Sequence, residues 1–446
     1  MAARSAREAA VLLLQKVFQE NCFLSDCFDQ ETAGLPERDR AFSRRLALGV
    51  LEKRTAIDQV LQHFLKSPLR KLKPAIRRIL EVSAYELLFL GQASYASVNE
   101  AVNLTRRLGY PALSGFVNGV LRSVSREGNA VLDHLDPWSR LGMTEVIREK
   151  FSLWYGEERG LRIAEAMTEE KEGTTIRRNT FFCTEEDLLE ALSEEGLTAE
   201  KTGLSRDTYR LTGEIPAYRT KNFEKGLFYI QDLSSCLSGD AVSDLPQGLR
   251  VLDVCSAPGG KLLHVLDLKK GTAQAVAMDL TKARTDLIRE NLRRMPYPKV
   301  QVMEGDASED HPEFEQKFDL VIADLPCSGL GTIRKNPELL YRTTEKSLSE
   351  IEARAQKILS RAGHYVTPGG TLLFSTCTVN PGENDGAAEY FLSAHPDFHP
   401  VDFRRLMPKA LRDSFSGIGR LQILPDTFPG DGFYIARFQK EKETGQ

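Results

Sequence analysis

Two cysteines stand directly beyond predicted strands in the last third of the chain. Asp324-Leu-Pro-Cys-Ser-Gly329 follows one apolar run, and Ser375-Thr-Cys-Thr378 follows the next. Since the carboxyl ends of parallel strands share one edge of a sheet, Cys327 and Cys377 are predicted to lie at the same edge. A free cysteine is usually a small buried hydrophobe, but two in polar, turn-forming loops at one edge indicate a site that uses thiols.

A pair of thiols suits methylation of a carbon that is itself a poor nucleophile. Carbon-5 of a pyrimidine requires a temporary covalent bond at carbon-6, and a thiolate both attacks well and leaves afterwards. A second group must then remove the hydrogen of carbon-5. Cys327, Cys377, Asp324 and Lys261 at one edge meet these needs, although their spacing does not decide which cysteine attacks.

A glycine loop is predicted at the same edge, in the stretch Val251-Leu-Asp-Val-Cys-Ser-Ala-Pro-Gly-Gly-Lys261. Its apolar run predicts a strand that ends at a tight turn and opens a helix. Gly259 and Gly260 carry no Cβ, so a nucleotide-like ligand can approach the backbone. The loop lacks both common phosphate-binding glycine patterns, which favours S-adenosylmethionine over a dinucleotide or a nucleoside triphosphate.

Two aspartates end the following two predicted strands. Asp279 is placed to accept hydrogen bonds from ribose hydroxyls, and Asp306 to reach an adenine amino group. Either could instead be a helix cap. The glycine loop and these two aspartates lie at three consecutive strand ends, and together they predict a binding site for an adenosine-type ligand.

Three regions are predicted to position these residues. Residues 1–135 show helical spacing throughout and predict an all-α domain, with one helix ending at Gly128. Residues 136–222 predict a helical connector and a small α+β domain. Residues 223–440 alternate strands and helices, which predicts a Rossmann-like α/β domain whose parallel sheet is covered on both faces.

Composition limits the partners and the compartment. The first 150 residues hold 22 of the 59 Lys and Arg but only 17 of the 63 Asp and Glu. The N-terminal region therefore has a net positive charge, and the rest of the chain has a net negative charge. That balance suits a polyanion, although a solvated helical surface explains it equally well. Seven scattered cysteines without a C-x-x-C favour neither disulfides nor zinc, and no apolar run could cross a membrane. We therefore expect a cytoplasmic protein with no metal, and we interpret its first residues as a helix of the mature chain.

The helical region resembles the NusB-like RNA-binding domain, through Val98-Asn-Glu-Ala-Val102 and Val117-Asn-Gly-Val-Leu-Arg122. Its basic pairs could form one face for a sugar-phosphate backbone. These pairs are Arg44-Arg45, Lys53-Arg54, Arg70-Lys71, Arg77-Arg78 and Arg106-Arg107. The small α+β region, with its Arg-x-Asn-Thr segment, is similar to an RNA-recognition-like (RRM-like) module of multidomain RNA methyltransferases.

The cysteine motifs and the glycine loop together resemble the RNA (cytosine-5)-methyltransferases of the NOL1/NOP2/Sun family. When the NusB-like N-terminal region is included, the resemblance to the bacterial 16S rRNA enzymes of this family extends over roughly the full length of the chain. The resemblance implies methylation of a 16S rRNA cytosine, at position 967 in the family, on naked or partly assembled RNA by a monomer. It implies Cys377 as the nucleophile that bonds to carbon-6, Cys327 in product release, and Asp324 and Lys261 at the cytosine. The implied S-adenosylmethionine-binding residues are Cys255, Ser256, Ala257, Pro258, Gly259, Gly260, Lys261, Asp279, Asp306 and Asp324.

Two other functions remain open at this point. An exocyclic-amine methyltransferase would normally carry Asp/Asn-Pro-Pro-aromatic after the fourth strand, where this chain has Leu325-Pro326-Cys327. A catalytically silent RNA-binding assembly factor would need only the helical region. The family also more often has Pro-Glu-Glu-Asn where this chain has Pro381-Gly-Glu-Asn384.

Overall fold

The computed structural model of the protein describes residues 4–92, 94–169 and 172–442. The chain forms two compact units. One comprises Met1–Glu169 and Ile333–Thr343, and the other Glu170–Thr332 and Thr344–Gln446.

The first unit is built from helices around one apolar core. Leu46, Leu80 and Leu121 come from three of these helices and are fully buried in that core. This confirms the helical N-terminal domain predicted from residue spacing. The helices are α1 (Ala6–Gln19), α2 (Leu24–Glu31), α3 (Glu37–Phe64), α4 (Pro74–Phe89), α5 (Ser94–Arg107), α6 (Ser114–Asp133), α7 (Pro137–Leu141), α8 (Glu145–Tyr155) and α9 (Glu157–Thr168).

The helix predicted to end at Gly128 instead continues to Asp133. A Cβ at Gly128 would lie 2.9 Å from the side chain of Leu88 in α4. The glycine therefore permits close contact between two helices and does not terminate one.

Part of the predicted basic face is internal. Arg77 donates to Asp58 at 2.7 Å and to Glu81 at 2.9 Å, and Arg78 donates to Glu81 at 2.5 Å. Arg54 is paired with the same two acids. Burial raises the pKa of Asp58 to about 7, with the neighbouring Glu81 acting in the same direction. These arginines are paired with acids of the helical unit, and their contact with RNA stays a prediction.

A four-stranded antiparallel sheet of order β2-β3-β1-β4 follows. Its elements are β1 (Thr174–Arg178), α10 (Glu185–Glu194), β2 (Thr198–Lys201), β3 (Thr208–Thr212), α11 (Lys221–Glu224) and β4 (Phe228–Ile230). This β-α-β-β-α-β succession is compatible with the predicted α+β module. The domain boundaries at 135 and 222 stay predictions.

The second sheet has nine strands, in the order β11-β12-β13-β9-β8-β5-β6-β7, with β10 paired to β13. The pairs among β5 to β9 are parallel, and those of β10 to β13 are antiparallel. Val251 and Leu252 point to separate apolar cores on the two faces, which confirms a sheet covered on both sides. The elements are α12 (Leu233–Asp240), β5 (Arg250–Asp253), α13 (Gly260–Leu268), β6 (Gln274–Asp279), α14 (Lys282–Arg294), β7 (Val300–Glu304), β8 (Phe318–Asp324), α16 (Glu345–His364), β9 (Val366–Thr376), α17 (Ala387–Ala394), β10 (Phe398–Pro400), β11 (Phe415–Gly417), β12 (Arg420–Ile423) and β13 (Phe433–Lys440). The short helix α15 (Leu339–Arg342) lies between β8 and α16 in sequence but belongs to the helical unit.

The small sheet packs onto the second sheet's domain through the face opposite α10. Arg177 of β1 is 2% exposed and forms an ion pair of 3.2 Å with Asp267 of α13. Asp267 also accepts hydrogen bonds from Thr180 and from the Phe181 backbone. Tyr229 of β4 is buried in the same apolar core as Leu263. Around these two strands the sheet surface is therefore used for packing within the protein.

The segment Ile333–Thr343 follows the Cys327 loop in sequence but belongs to the helical unit. There the Tyr341 hydroxyl donates to the Leu51 carbonyl at 2.8 Å. Arg334, in the same segment, lines a small cavity of the helical unit. No helix among the described residues is long and apolar enough to cross a bilayer.

Candidate active site

The carboxyl ends of β5 to β9 surround one cleft of about 400 Å³. Its walls combine acidic, thiol and apolar side chains, with Leu325 and Ile358 among the apolar ones. A cleft of this size accommodates a small organic ligand. The lining residues predicted from the sequence are Cys255, Ala257, Asp279, Asp306, Asp324, Cys327 and Cys377.

The glycine loop connects β5 to α13. Gly259 has φ +106° and precedes the helix, a conformation that side-chain-bearing residues rarely adopt. A Cβ on Gly260 would lie 3.0 Å from the Tyr229 ring, so this position also needs a small residue. Ser256, Pro258, Gly259 and Gly260 belong to this loop but are not among the described residues that line the cleft.

The two predicted cofactor aspartates lie at the strand ends, as expected. Asp279 is buried and accepts hydrogen bonds from the Ala257 and Leu280 backbone N–H groups at 2.8 Å and from Arg284 at 2.5 Å. Asp306 accepts the backbone N–H of Ser308 at 2.9 Å, and this bond holds the pKa of Asp306 below its ordinary value. Asp279 thereby fixes the glycine loop, whereas Asp306 turns its partly exposed carboxylate to the cleft.

Asp324 and Lys261 form an ion pair of 2.6 Å at the cleft. The other carboxylate oxygen of Asp324 accepts the Ser375 hydroxyl at 2.7 Å, so the aspartate is held from both sides. Burial alone would lower the pKa of Lys261, but Asp324 more than offsets this and keeps it above its ordinary value. Phe433 covers the ammonium group at 5.2 Å. The lysine is therefore a fixed cation next to the acid.

The two cysteine sulfurs are 3.4 Å apart in the cleft. Cys327 follows β8 and Cys377 follows β9, which are adjacent parallel strands. The hydrogen bond to Cys377 and then burial raise the pKa of Cys327 well above its ordinary value. Both sulfurs can therefore contact the same small group. Cys255 lines the same cleft, and burial raises its thiol pKa as well.

The structure adds site residues that the sequence reasoning missed. Arg284 and Arg354 line the cleft, and Glu383 lies behind the cysteines. Arg284 is five residues beyond Asp279, a spacing that places it beside that acid once α14 starts. Within the described ranges, no group of three or more His, Cys, Asp or Glu side chains is arranged to hold a metal.

A second surface is a basic groove between α5 and α6, with a volume of about 650 Å³. Arg106, Arg122 and Arg126 line it and are exposed. Tyr95 also lines the groove and is 79% exposed. Guanidinium groups beside an exposed aromatic ring suit single-stranded nucleic acid, whose phosphates and bases they can contact.

A parallel sheet with a glycine loop and acidic strand ends around a ligand-sized cleft places this domain in the class of Rossmann-like α/β proteins that bind nucleotide-type ligands. Comparison with known families narrows the class. Residues 243–439 match the family described as 16S rRNA methyltransferase RsmB/F, and residues 4–126 match the NusB family. A curated relative, the probable ribosomal RNA small subunit methyltransferase B of Bacillus subtilis (strain 168), is 33% identical, with 98% of each chain covered. The chain belongs to this family of 16S rRNA methyltransferases.

Solved structures show the same fold. The crystal structure of PH0851 matches with a TM-score of 0.80 at 23% identity and covers 98% of both chains. The structure of NSun6 from Pyrococcus horikoshii with SFG matches with a TM-score of 0.59 at 21% identity, over 67% of this chain and 99% of that one. These likenesses confirm the architecture that the sequence predicts.

Proposed function

We propose that the protein methylates carbon-5 of a cytosine in 16S rRNA, with S-adenosylmethionine as the methyl donor and a transient bond between Cys377 and carbon-6. The observation that carries this proposal is the 3.4 Å separation of the two sulfurs inside the cleft that Cys255 and Ala257 of the glycine loop also line. One pyrimidine ring can contact both sulfurs at that distance. The family and its named rRNA methyltransferases support the substrate class.

The residues of the cleft suit the cofactor. S-adenosylmethionine would be held by the loop from Cys255 to Lys261 and by Asp279, Asp306 and Asp324. The acceptor at Asp306 and the small residues of the loop suit an adenosine, and the apolar walls suit its base. When bound, this group supplies an electrophilic methyl group.

The chain's own residues perform the base chemistry. Cys377 as a thiolate bonds to carbon-6 and gives carbon-5 enamine character. Asp324 holds the N3 and N4 edge of the cytosine, and its ion pair with Lys261 fixes the carboxylate in place. Once carbon-5 carries its methyl group, Cys327, having given its own proton to solvent, takes the carbon-5 proton as a thiolate. The electron pair of that C–H bond re-forms the C5–C6 double bond, the C6–S bond breaks, and Cys377 leaves as a thiolate.

The experiment that tests the proposal is bisulfite mapping. Protein-free 16S rRNA, incubated with the enzyme and S-adenosylmethionine, is expected to gain one bisulfite-resistant cytosine, with cytosine 967 as the candidate. Methyl transfer without any resistant cytosine would instead indicate an exocyclic-amine methyltransferase. Absence of transfer from labelled cofactor would indicate a non-catalytic RNA-binding factor.

The groove between α5 and α6 is proposed to hold a single-stranded part of the same RNA. We expect Arg106→Ala with Arg122→Ala to weaken RNA binding and to reduce the salt dependence of the association constant by about 0.7 in log–log slope per lost phosphate contact. Filter binding between low and moderate salt measures this. Arg140→Ala, an exposed arginine of α7 outside the groove, is the control and should keep the original slope. An unchanged slope in the double variant would contradict an RNA contact at this surface.

The setting of the reaction follows from the substrate. A cytosine inside a duplex hides the face that Cys377 must reach, so the target is an exposed or flipped base. We propose that a monomer acts in the cytoplasm on naked or partly assembled 16S rRNA. Comparing free 16S rRNA with complete small subunits as substrates tests this, since the proposal requires faster methylation of the free RNA.

A further inference from the structure

Glu383 is a buried acid behind the two cysteines. It lies in the π-helical turn Gly382–Gly386 after β9, and its side chain is fully inaccessible to solvent. One carboxylate oxygen accepts the Ser328 backbone N–H at 2.6 Å, and the other accepts the Ser328 hydroxyl at 2.5 Å. Asn380 donates a further hydrogen bond of 3.0 Å. A buried carboxylate is thus bound chiefly to one residue of another loop.

Two of the residues that donate to Glu383 directly follow the cysteines in sequence, and the second of them, Thr378, donates its hydroxyl at 3.5 Å. Ser328 follows Cys327, and Thr378 follows Cys377. The Ser328 and Thr378 hydroxyl oxygens are 2.7 Å apart, so the two loops meet at the carboxylate. Glu383 therefore joins the β8 loop to the β9 loop immediately behind the pair of sulfurs.

The two cysteines depend on this acid to different degrees. Cys377 stands at the end of an eleven-residue strand, and its carbonyl accepts the Gly331 N–H at 3.0 Å. The β8 loop is bonded to β9 through the backbone N–H groups of Leu325 and Gly331, on either side of Cys327. At Ser328, next to Cys327, two bonds of 2.6 and 2.5 Å both end on Glu383. Hydrogen bonds to an ionised acceptor are about twice as strong as neutral ones. Loss of the carboxylate should therefore displace Cys327 more than Cys377.

We propose that Glu383 is a positioning residue that holds Cys327 against Cys377, so that the release step can follow attack on the same pyrimidine. This inference rests on the proposed function, and it assigns to Glu383 the control of the release step. Burial raises the pKa of Glu383, and the hydrogen bonds from Ser328 act in the opposite direction.

The experiment compares turnover with covalent adduct. We expect Glu383→Ala to slow methylcytosine formation by about a hundredfold, as misplacement of a reacting group by about 1 Å can do. At the same time an adduct between protein and RNA that survives denaturing gels should accumulate, because Cys377 still attacks. Asp385→Asn is the matched control: Asp385 lies two residues away and accepts from Ser416 and Tyr434. It should show wild-type turnover and no adduct.

Two milder variants keep the test decisive if Glu383→Ala does not fold. Glu383→Gln retains one acceptor oxygen and should recover part of the turnover with less adduct. Ser328→Ala removes only the hydroxyl bond and should show the same pattern at smaller amplitude. Slow turnover without adduct in these variants, or wild-type turnover in all of them, would overturn the role of Glu383. A wild-type enzyme that makes no 5-methylcytosine would instead overturn the proposed function itself.

Discussion

Replacing Cys377 by alanine is expected to abolish methyl transfer to RNA, with a loss of at least about a thousandfold, as for other enzymes without their nucleophile. Without the thiol no bond forms at carbon-6, and carbon-5 stays a poor nucleophile. The cofactor residues remain in place, because Asp279 and the glycine loop are held by their own hydrogen bonds. Methyl transfer from labelled S-adenosylmethionine measures the loss, and calorimetric titration with the cofactor measures its retained binding.

A matched control is available in the helical unit. Cys22→Ala also removes one thiol, from a half-buried position outside the cleft, and should leave methyl transfer unchanged. Full activity of the Cys377 variant would show that another group is the nucleophile. Loss of cofactor binding together with activity would mean that the substitution disturbed the cleft as a whole.

The strand ends and the glycine loop could be predicted because their signals are local. An apolar run followed by Pro-Gly-Gly, or by Asp-Leu-Pro-Cys, marks where a buried strand stops, and parallel strands share one edge. Asp279, Asp306, Asp324 and the two cysteines therefore lie at one cleft, as the sequence predicts. The short separation of the sulfurs depends on β8 and β9 being neighbours in the sheet, and spacing alone does not define strand order.

The interactions that sequence reasoning missed join distant parts of the chain. Glu383 and Ser328 are 55 residues apart, and no local pattern links a buried acid to a serine in another loop. Arg54 and Arg77 read as surface charge, yet they pair with acids on two helices. Glycine is a residue type that often ends a helix, but Gly128 lies where two helices pack closely against each other. In each case, the local sequence is compatible with more than one structural role, and tertiary packing determines which role the residue has.

The geometry of the cleft separates the two halves of the proposed reaction. In the proposed reaction, attack requires Cys377 and a cytosine that is held in position by Asp324. The 2.6 Å ion pair with Lys261 fixes Asp324 in place. Release requires a proton acceptor beside carbon-5, and Cys327 is the thiol in contact with Cys377. The raised pKa of Cys327 means that its thiol must lose its own proton before it can take that of carbon-5. The two steps should therefore fail separately.

Replacing Cys327 by alanine is accordingly expected to trap the protein on its RNA. Cys377 still bonds to carbon-6 and carbon-5 still receives its methyl group, but the proton acceptor is missing and the adduct persists. Under turnover conditions, a large share of the enzyme should migrate with labelled RNA on denaturing gels, and methylcytosine release should fall to roughly one turnover. Cys327→Ala combined with Cys377→Ala should form no adduct, because the bond requires the Cys377 sulfur. Free turnover by the Cys327 variant would show that another base removes the proton, whereas absence of both adduct and product would assign Cys327 to the attack.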